Sequence, residues 1–305
     1  MPAPLLVILN PWAGRGRGAK ARHLVQRGLR DAGVPYEIVE TTGPGHAIGI
    51  TREAVAAGVT RIIAASGDGT IHEVANALLD MPPTEDGATP AAVGCIPLGT
   101  GNDFAKLVGV YGLPPEVAAA RMVHAETDVH DAGQVLGEWF DNIFGVGFDA
   151  ETVRNANKIR RLKGVAVYLA AIYRTFLTFR PPMLEVISAE HHETSAMMML
   201  AANIGVSGGG KFYLTPQADP RDGLLDVCLI RSVGVLTFLT AVPKVMKGTH
   251  TALDEVTLFQ TTSVTVRSAD GRPLLIQLDG ELREPHVTEV TVTIAPRRLR
   301  VLHPR

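Results

Sequence analysis

The chain has 305 residues, 46% hydrophobic and 20% charged, which permits a sizeable core and excludes wholesale disorder. Its 29 basic and 31 acidic residues leave a net charge of −2, no global field for nucleic acid, so no nucleic-acid partner is expected. The length fits two domains or one large one.

Leu5 to Asn10 is a continuous apolar run, the mark of a strand buried on both faces. Asn10-Pro11-Trp12-Ala13-Gly14-Arg15-Gly16-Arg17-Gly18 follows, then a helix with Ala21, Leu24, Val25, Gly28 and Leu29 on one face, closed by Gly33. The glycine spacing departs from the G-x-G-x-x-G of dinucleotide folds, and no G-x-x-x-x-G-K-[ST] occurs. A phosphate-contacting loop with Arg15, Arg17 or Lys20 nearby competes with a plain turn carrying solvated arginines. Tyr36 to Thr41 reads as a second strand, and Ala47, Ile50, Ala54 and Val55 mark a second helix. Ile62 to Ser66 is a third buried strand that stops at Gly67-Asp68-Gly69-Thr70, after which Ile71 to Leu79 has helical spacing. Glycines at a strand end and a helix start let backbone N–H groups approach phosphate. Asp68 fits there if a divalent cation intervenes, or if it holds the loop by accepting from backbone N–H groups. Ala91 to Pro97 is a fourth strand, followed by Pro97-Leu98-Gly99-Thr100-Gly101-Asn102-Asp103-Phe104-Ala105. Alternating strands and helices predict a parallel sheet whose ligands bind beyond the strands' carboxyl ends.

A helix near Pro114 to His124 closes this first part. From Asp128 onward short β-rich segments predict an antiparallel sandwich: Asp131 to Val135, Trp139 to Gly147, Met183 to Ser188, Ala196 to Asn203 and Leu224 to Ile230. Helical stretches interrupt it at about Ala150 to Arg161, Val165 to Phe179 and Leu236 to Lys247. Leu274 to Leu278, Val287 to Ile294 and Leu299 to Leu302 read as further strands. Cys95 and Cys228 lie in apolar runs outside any metal-ligand spacing, as buried thiols of a reducing compartment do. The run after Met1 lacks the flanks of a signal peptide, and Val165 to Phe179 is broken by Arg174 and shorter than the ~20 residues of a spanning helix. The expectation is a soluble, cytoplasmic protein.

Asn10-Pro11 with its glycines, Gly67-Asp68-Gly69-Thr70, and the run Pro97 to Ala105 together resemble the diacylglycerol-kinase catalytic family, which includes sphingosine and ceramide kinases and small bacterial lipid kinases. The middle motif is shared with NAD kinases and phosphofructokinases; the third is far more specific. Ser66 stands where the family usually has a glycine. The resemblance covers nearly the whole chain. It implies an α/β nucleotide-binding domain at 1–127, to which 295–305 return, and a β-rich lipid-substrate domain at 128–294.

The resemblance also implies roles. Asn10, Gly14, Thr41, Gly67, Asp68, Gly69, Thr70, Ile71, His72, Glu73 and Thr100 would hold ATP, with Asp68 helping to place catalytic magnesium. Gly208-Gly209-Gly210, Pro216 and Asp222-Gly223-Leu224-Leu225-Asp226 resemble the family's metal loop, so Asp219, Asp222 and the Leu224 carbonyl would hold a structural magnesium ion linked to Asp103 through water. A plain hairpin turn at Asp222-Gly223 is the competing reading. From composition alone Asp279-Gly280-Glu281, after Gln277-Leu278, reads equally well as a surface hairpin; the resemblance makes it the acidic tripeptide that supplies the general base, with Asp279 and Glu281 both candidates. The implied activity is transfer of the γ-phosphoryl group of ATP to a lipid hydroxyl, the lipid tails lying against the sandwich's apolar interior. Peripheral membrane contact and a homodimer are compatible with it. The rivals are an NAD or sugar-phosphate kinase and a non-catalytic nucleotide sensor docking at membranes.

Overall fold

The computed structural model describes residues 5–159, 162, 165–205 and 212–304. The chain divides into two compact units: Met1–Asp131 with Arg297–Arg305, and Ala132–Pro296.

The first unit opens with β1 (Leu5–Leu9), α1 (Ala13–Asp31), β2 (Tyr36–Glu40), α2 (His46–Ala56), β3 (Arg61–Ser66) and α3 (Asp68–Leu79). It continues with β4 (Ala92–Pro97), α4 (Asp103–Leu107) and α5 (Pro115–Val123). The strands lie in the order β2-β1-β3-β4, all parallel. Every residue of β1 and the run Ile62 to Ser66 are buried, as strands covered by helices on both faces must be. Burying each such Ile or Leu side chain contributes about 1.5–3 kcal/mol. Helices α1 and α5 meet closely: a Cβ at Gly28 would run into the Glu116 carbonyl.

The second unit is the β-sandwich. After β5 (Glu126–Val135), which begins in the first unit, come β6 (Glu138–Phe140), β7 (Ile143–Gly147), α6 (Phe148–Lys158), α7 (Val165–Thr178), β8 (Met183–Ile187) and β9 (His192–Asn203). They are followed by β10 (Leu225–Arg231), α8 (Val235–Lys247), β11 (Val256–Thr261), β12 (Ser263–Ser268), β13 (Ile276–Leu278), β14 (Glu281–Arg283) and β15 (Glu289–His303). The long strand β9 serves both sheets. Its first half pairs with β8, and its second half lies between β7 and β10. The ladder to β10 shifts register at Ile230/Arg231, and there the side-chain alternation changes phase: Met197 faces the sandwich interior, Met199 the opposite face.

The segment Trp139 to Gly147, expected as one strand, is two. It breaks at Asp141-Asn142, whose backbone N–H groups donate to the Asp279 carboxylate. Conversely, the two strands expected between Val287 and Leu302 are one continuous β15. Pro296 falls inside it, beside a bend at Arg297, which has φ +51° and donates its N–H to Asp131. Beyond that bend the strand runs in the first unit, Val301 pairing with Val93. The expected helix reaching Arg161 ends at Lys158, and Arg161 lies outside the described residues.

Candidate active site

In the first unit the two glycine loops touch backbone to backbone. Gly67 alone separates β3 from α3, and a Cβ on it would lie 3.0 Å from the Gly99 Cα. A Cβ on Gly99 would lie 2.5 Å from the Gly67 Cα and 2.7 Å from Asn102 Oδ1. Glycine at both positions is therefore what lets the loops pack at one end of the sheet. Asp68 ties them together, Oδ2 accepting from the Asn102 N–H at 2.7 Å and Oδ1 from the Phe104 N–H at 3.3 Å. Of the two roles open to Asp68, loop holding is present in the geometry. Burial pushes its carboxyl up to about 7, and the nearby Asp103 charge adds to the shift. Asp103 is itself buried and accepts from Lys106 Nζ at 2.6 Å. Gly67 gives α3 no side-chain cap, which leaves its first-turn N–H groups to an anion.

The remaining first-unit candidates divide by what they touch. Asn10 Nδ2 donates to Thr70 Oγ1 at 3.0 Å, and Asn10 Oδ1 accepts from the Trp12 N–H. Gly14, Arg15 and Gly16 are left-handed in succession, a break inside α1. Gly14 has no room for a Cβ against the Leu98 carbonyl. Arg17, expected near phosphate, instead donates through Nη2 to the Gly99 carbonyl at 2.5 Å and braces the neighbouring loop. The Glu73 carboxylate accepts from the Gly45 and Ala47 N–H groups at the start of α2. Ile71, His72 and Thr41 are buried, and Thr100 is exposed in the turn after β4.

In the second unit, Asp279 and Gly280 form a two-residue turn between β13 and β14, with φ +48° and +84°. This is the conformation that Asp-Gly hairpins favour. The turn is not a plain surface hairpin. Asp279 is buried and accepts from the N–H groups of Asp141, Asn142 and Ile143 at 2.9–3.1 Å. Glu281, two residues on, is exposed. Gln277 braces the turn from below, its Oε1 accepting from the Gly280 N–H at 2.7 Å and its Nε2 donating to Asp149 Oδ2 at 2.6 Å. Gly145 makes room for this pair, since a Cβ there would strike the Asp149 carboxylate. Sequence reading missed Asp149: it stands 128 positions from Gln277, and no local pattern connects them.

Asp149 also lines a pocket of about 870 Å³, its open mouth included, between one face of the sandwich and helices α6, α7 and α8. Phe148, Tyr168, Ile172, Met199, Phe238 and Val242 make most of its wall apolar. The expected location for lipid tails, the sandwich interior, is filled instead. Phe140, Phe144, Leu200, Val227, Val266 and Val292 pack there without exposure.

The expected metal loop precedes β10. Asp222 accepts from the Leu224 N–H at 2.9 Å and from Gln260 Nε2 at 3.0 Å, and Asp219 pairs with Arg221 at 3.1 Å. Burial raises the Asp226 carboxyl to about 6 despite the Gln260 amide, and the charges of Asp222 and Asp219 push the same way. Asp226 was not among the expected ligands. These hard carboxylate oxygens suit magnesium chemically. Among the described residues, however, no three His, Cys, Asp or Glu side chains stand together as a metal-holding group. Gly208-Gly209-Gly210 lie outside the described residues.

Comparison with known proteins matches residues 4–135 to the diacylglycerol kinase catalytic domain and residues 142–303 to the YegS C-terminal NAD kinase beta sandwich-like domain. A diacylglycerol kinase of Mycobacterium tuberculosis (strain CDC 1551 / Oshkosh) is 31% identical over 98% of this chain and 94% of its own. The diacylglycerol kinase of Bacillus subtilis (strain 168) is 28% identical over 90% and 88%. A "Probable lipid kinase YegS-like" protein of Pseudomonas aeruginosa PAO1 is 31% identical over 97% and 93%. A crystal structure of a diacylglycerol kinase from Bacillus anthracis strain Sterne shares the fold with a TM-score of 0.72 at 19% identity, covering 99% of this chain and 97% of that one. A second from that organism reaches 0.81 at 22%, covering 99% and 95%. Motifs, two-part architecture and relatives agree: the chain belongs to the diacylglycerol kinase and YegS-like family of lipid kinases.

Proposed function

We propose that this protein transfers the γ-phosphoryl group of ATP to a hydroxyl of diacylglycerol or a related lipid, with magnesium. The observation that carries the lipid reading is the apolar pocket of the second unit. One wall residue, Asp149, is joined through Gln277 to the turn bearing the acidic candidates. Walls that are almost wholly apolar suit an acyl chain and offer little to the polar groups of a nicotinamide dinucleotide or a sugar phosphate.

Phosphoryl transfer asks for position and charge stabilisation. The α3 N-terminus, Asn10, Thr70 and the loop after β4 hold the triphosphate. Magnesium, when bound, neutralises phosphate charge, and Asp68 with Asp103 in the first unit would hold it; Asp222 and the Leu224 carbonyl in the second are two oxygens that a structural ion would use. Of the two base candidates, Asp279 has its oxygens engaged by three backbone N–H groups, so its role is to anchor the turn. Glu281 takes the proton from the lipid hydroxyl, the freed oxygen attacks the γ-phosphorus, and ADP departs. Substrate is drawn from a membrane surface. Leu177, Val235 and Leu236 are 83%, 61% and 81% exposed on the helices that wall the pocket, with Arg174 and Arg180 nearby in sequence. No described helix is long and apolar enough to cross a membrane.

The test is to incubate the protein with γ-labelled ATP, magnesium and mixed micelles of single lipid classes, with NAD and hexose phosphates in parallel. Label in a chloroform-soluble product supports the reading. Label only in water-soluble products refutes it.

A further inference from the structure

Gln277 is 2% exposed on β13, and both ends of its amide are engaged. Oε1 accepts from the Gly280 N–H at 2.7 Å, and Nε2 donates to Asp149 Oδ2 at 2.6 Å. An N–H only donates and an ionised carboxylate only accepts, so this position needs an acceptor toward the turn and a donor toward α6. Among side chains of its shape the amide alone offers both; leucine offers neither, and glutamate lacks the donor. Gly145, paired with Gln277 across the sheet, completes the arrangement. A Cβ there would lie 2.7 Å from Gln277 Nε2 and 2.2 Å from Asp149 Oδ2.

What the amide joins gives it a bearing on the reaction. Gly280, at φ +84°, directly precedes Glu281, and Asp149 stands in the wall of the apolar pocket. Asp279 fixes the first residue of the turn on the N–H groups of Asp141, Asn142 and Ile143; Gln277 fixes the second. We propose that Gln277 is a positioning residue for the phosphoryl transfer, holding Glu281 at a set distance from the pocket wall so that the hydroxyl of a lipid lying in the pocket meets the base. The inference rests on the reading of Glu281 as that base. Gln277 does not itself line the pocket, so it acts through the turn. Misplacing a reacting group by about 1 Å can cost about 10²-fold in rate.

The test compares Gln277→Leu, Gln277→Glu and Glu281→Gln with the parent in phosphorylation of diacylglycerol micelles by γ-labelled ATP, at a temperature where circular dichroism shows each one folded. At about pH 8 both Gln277 variants are expected to lose about 10- to 100-fold in kcat, with KM for ATP within about twofold of the parent. Gln277→Glu carries a further signature. Its carboxylate keeps an acceptor for the Gly280 N–H but faces Asp149 as a like charge, which raises the pKa of the pair. As pH falls the pair takes up one proton, and the O–H restores the missing donor. The deficit of Gln277→Glu relative to the parent should therefore shrink about threefold or more between about pH 8 and about pH 5.5. That of Gln277→Leu, which has no group to titrate, should stay fixed. If Gln277→Leu fails to fold, the ratio of Gln277→Glu to the parent still decides. A Gln277→Glu deficit that does not change with pH overturns the inference, because the amide then served packing. Parental turnover in both Gln277 variants beside an inactive Glu281→Gln also overturns it and leaves the base reading intact. Full turnover in Glu281→Gln removes the base reading, and a parent that phosphorylates no lipid removes the kinase reading; either result takes the inference with it.

Discussion

At the scale of single residues, the two acidic candidates of the β13–β14 turn separate by environment. Asp279→Asn turns one carboxylate oxygen into a donor facing backbone N–H groups, and leaving such a buried group unpaired costs about 1–3 kcal/mol. A clear drop in melting temperature is expected. Glu281→Gln, at an exposed position, should leave the melting temperature unchanged while turnover falls roughly 10²- to 10⁴-fold, the usual contribution of a general base. Full turnover in Glu281→Gln removes the base assignment. Asp68 gives a pH signature. Its carboxyl is raised from 3.8 to about 7 in the fold, so the folded state holds a proton that the unfolded chain releases. The stability it contributes is fully present below pH 3.8 and is lost as pH rises through about 7. In metal-free buffer the wild-type melting temperature should decline over this window more than that of Asp68→Asn. Parallel curves would show that Asp68 titrates normally.

At the scale of elements, the contact between the glycine loops explains more than phosphate access does. Gly99→Ala must push the loop after β4 off Gly67, at about 1–3 kcal/mol for forced overpacking, and should weaken ATP binding because the α3 N-terminus moves with it. Gly49→Ala is the contrast. Gly49 lies exposed within α2, its Cβ would meet nothing within 4 Å, and alanine there should stabilise by about 0.5–1 kcal/mol. Denaturant unfolding of the two variants reads both signs, and a Gly99→Ala protein as stable and as tight for ATP as the parent would dismiss the loop-contact account. The elements themselves were legible where they carried their own signal. The strands Leu5 to Leu9, Ile62 to Ser66 and Ala92 to Pro97 are unbroken apolar runs, and Val165 to Phe179 reads as a helix from its length. Strands β11 and β12 passed unread because their half-buried ladders mix polar and apolar residues and only sheet neighbours explain them. Strand β15 was cut in two because Pro296 reads as a breaker, whereas a bend at Arg297 lets the strand continue.

At the scale of the molecule, the proposed function has the second unit present its pocket to lipid. Binding to vesicles is expected to need both the exposed apolar side chains and the basic ones. Leu177→Asp with Leu236→Asp should abolish co-sedimentation with any vesicle, while Arg174→Glu with Arg180→Glu should weaken it only for anionic ones, at about 1 kcal/mol per basic residue, and less at high salt. Vesicle binding unchanged in both double variants would place the docking surface elsewhere. The sequence by itself determined the fold class, the family and the positions of the glycine loops, because buried strands and tight loops are dictated by neighbours a few residues away. Only the tertiary structure decided what those positions do. Asp279 became an anchor because three N–H groups from 141–143 converge on it. Arg17 became a brace because Gly99 lies within its reach. The apolar pocket opened outside the sandwich because the interior side chains pack without leaving room, whereas three helices cover the other face. Each of these depends on groups brought together from 82 or more positions apart, or from different elements, and a distance in space that is not a distance in sequence leaves no mark in the order of residues.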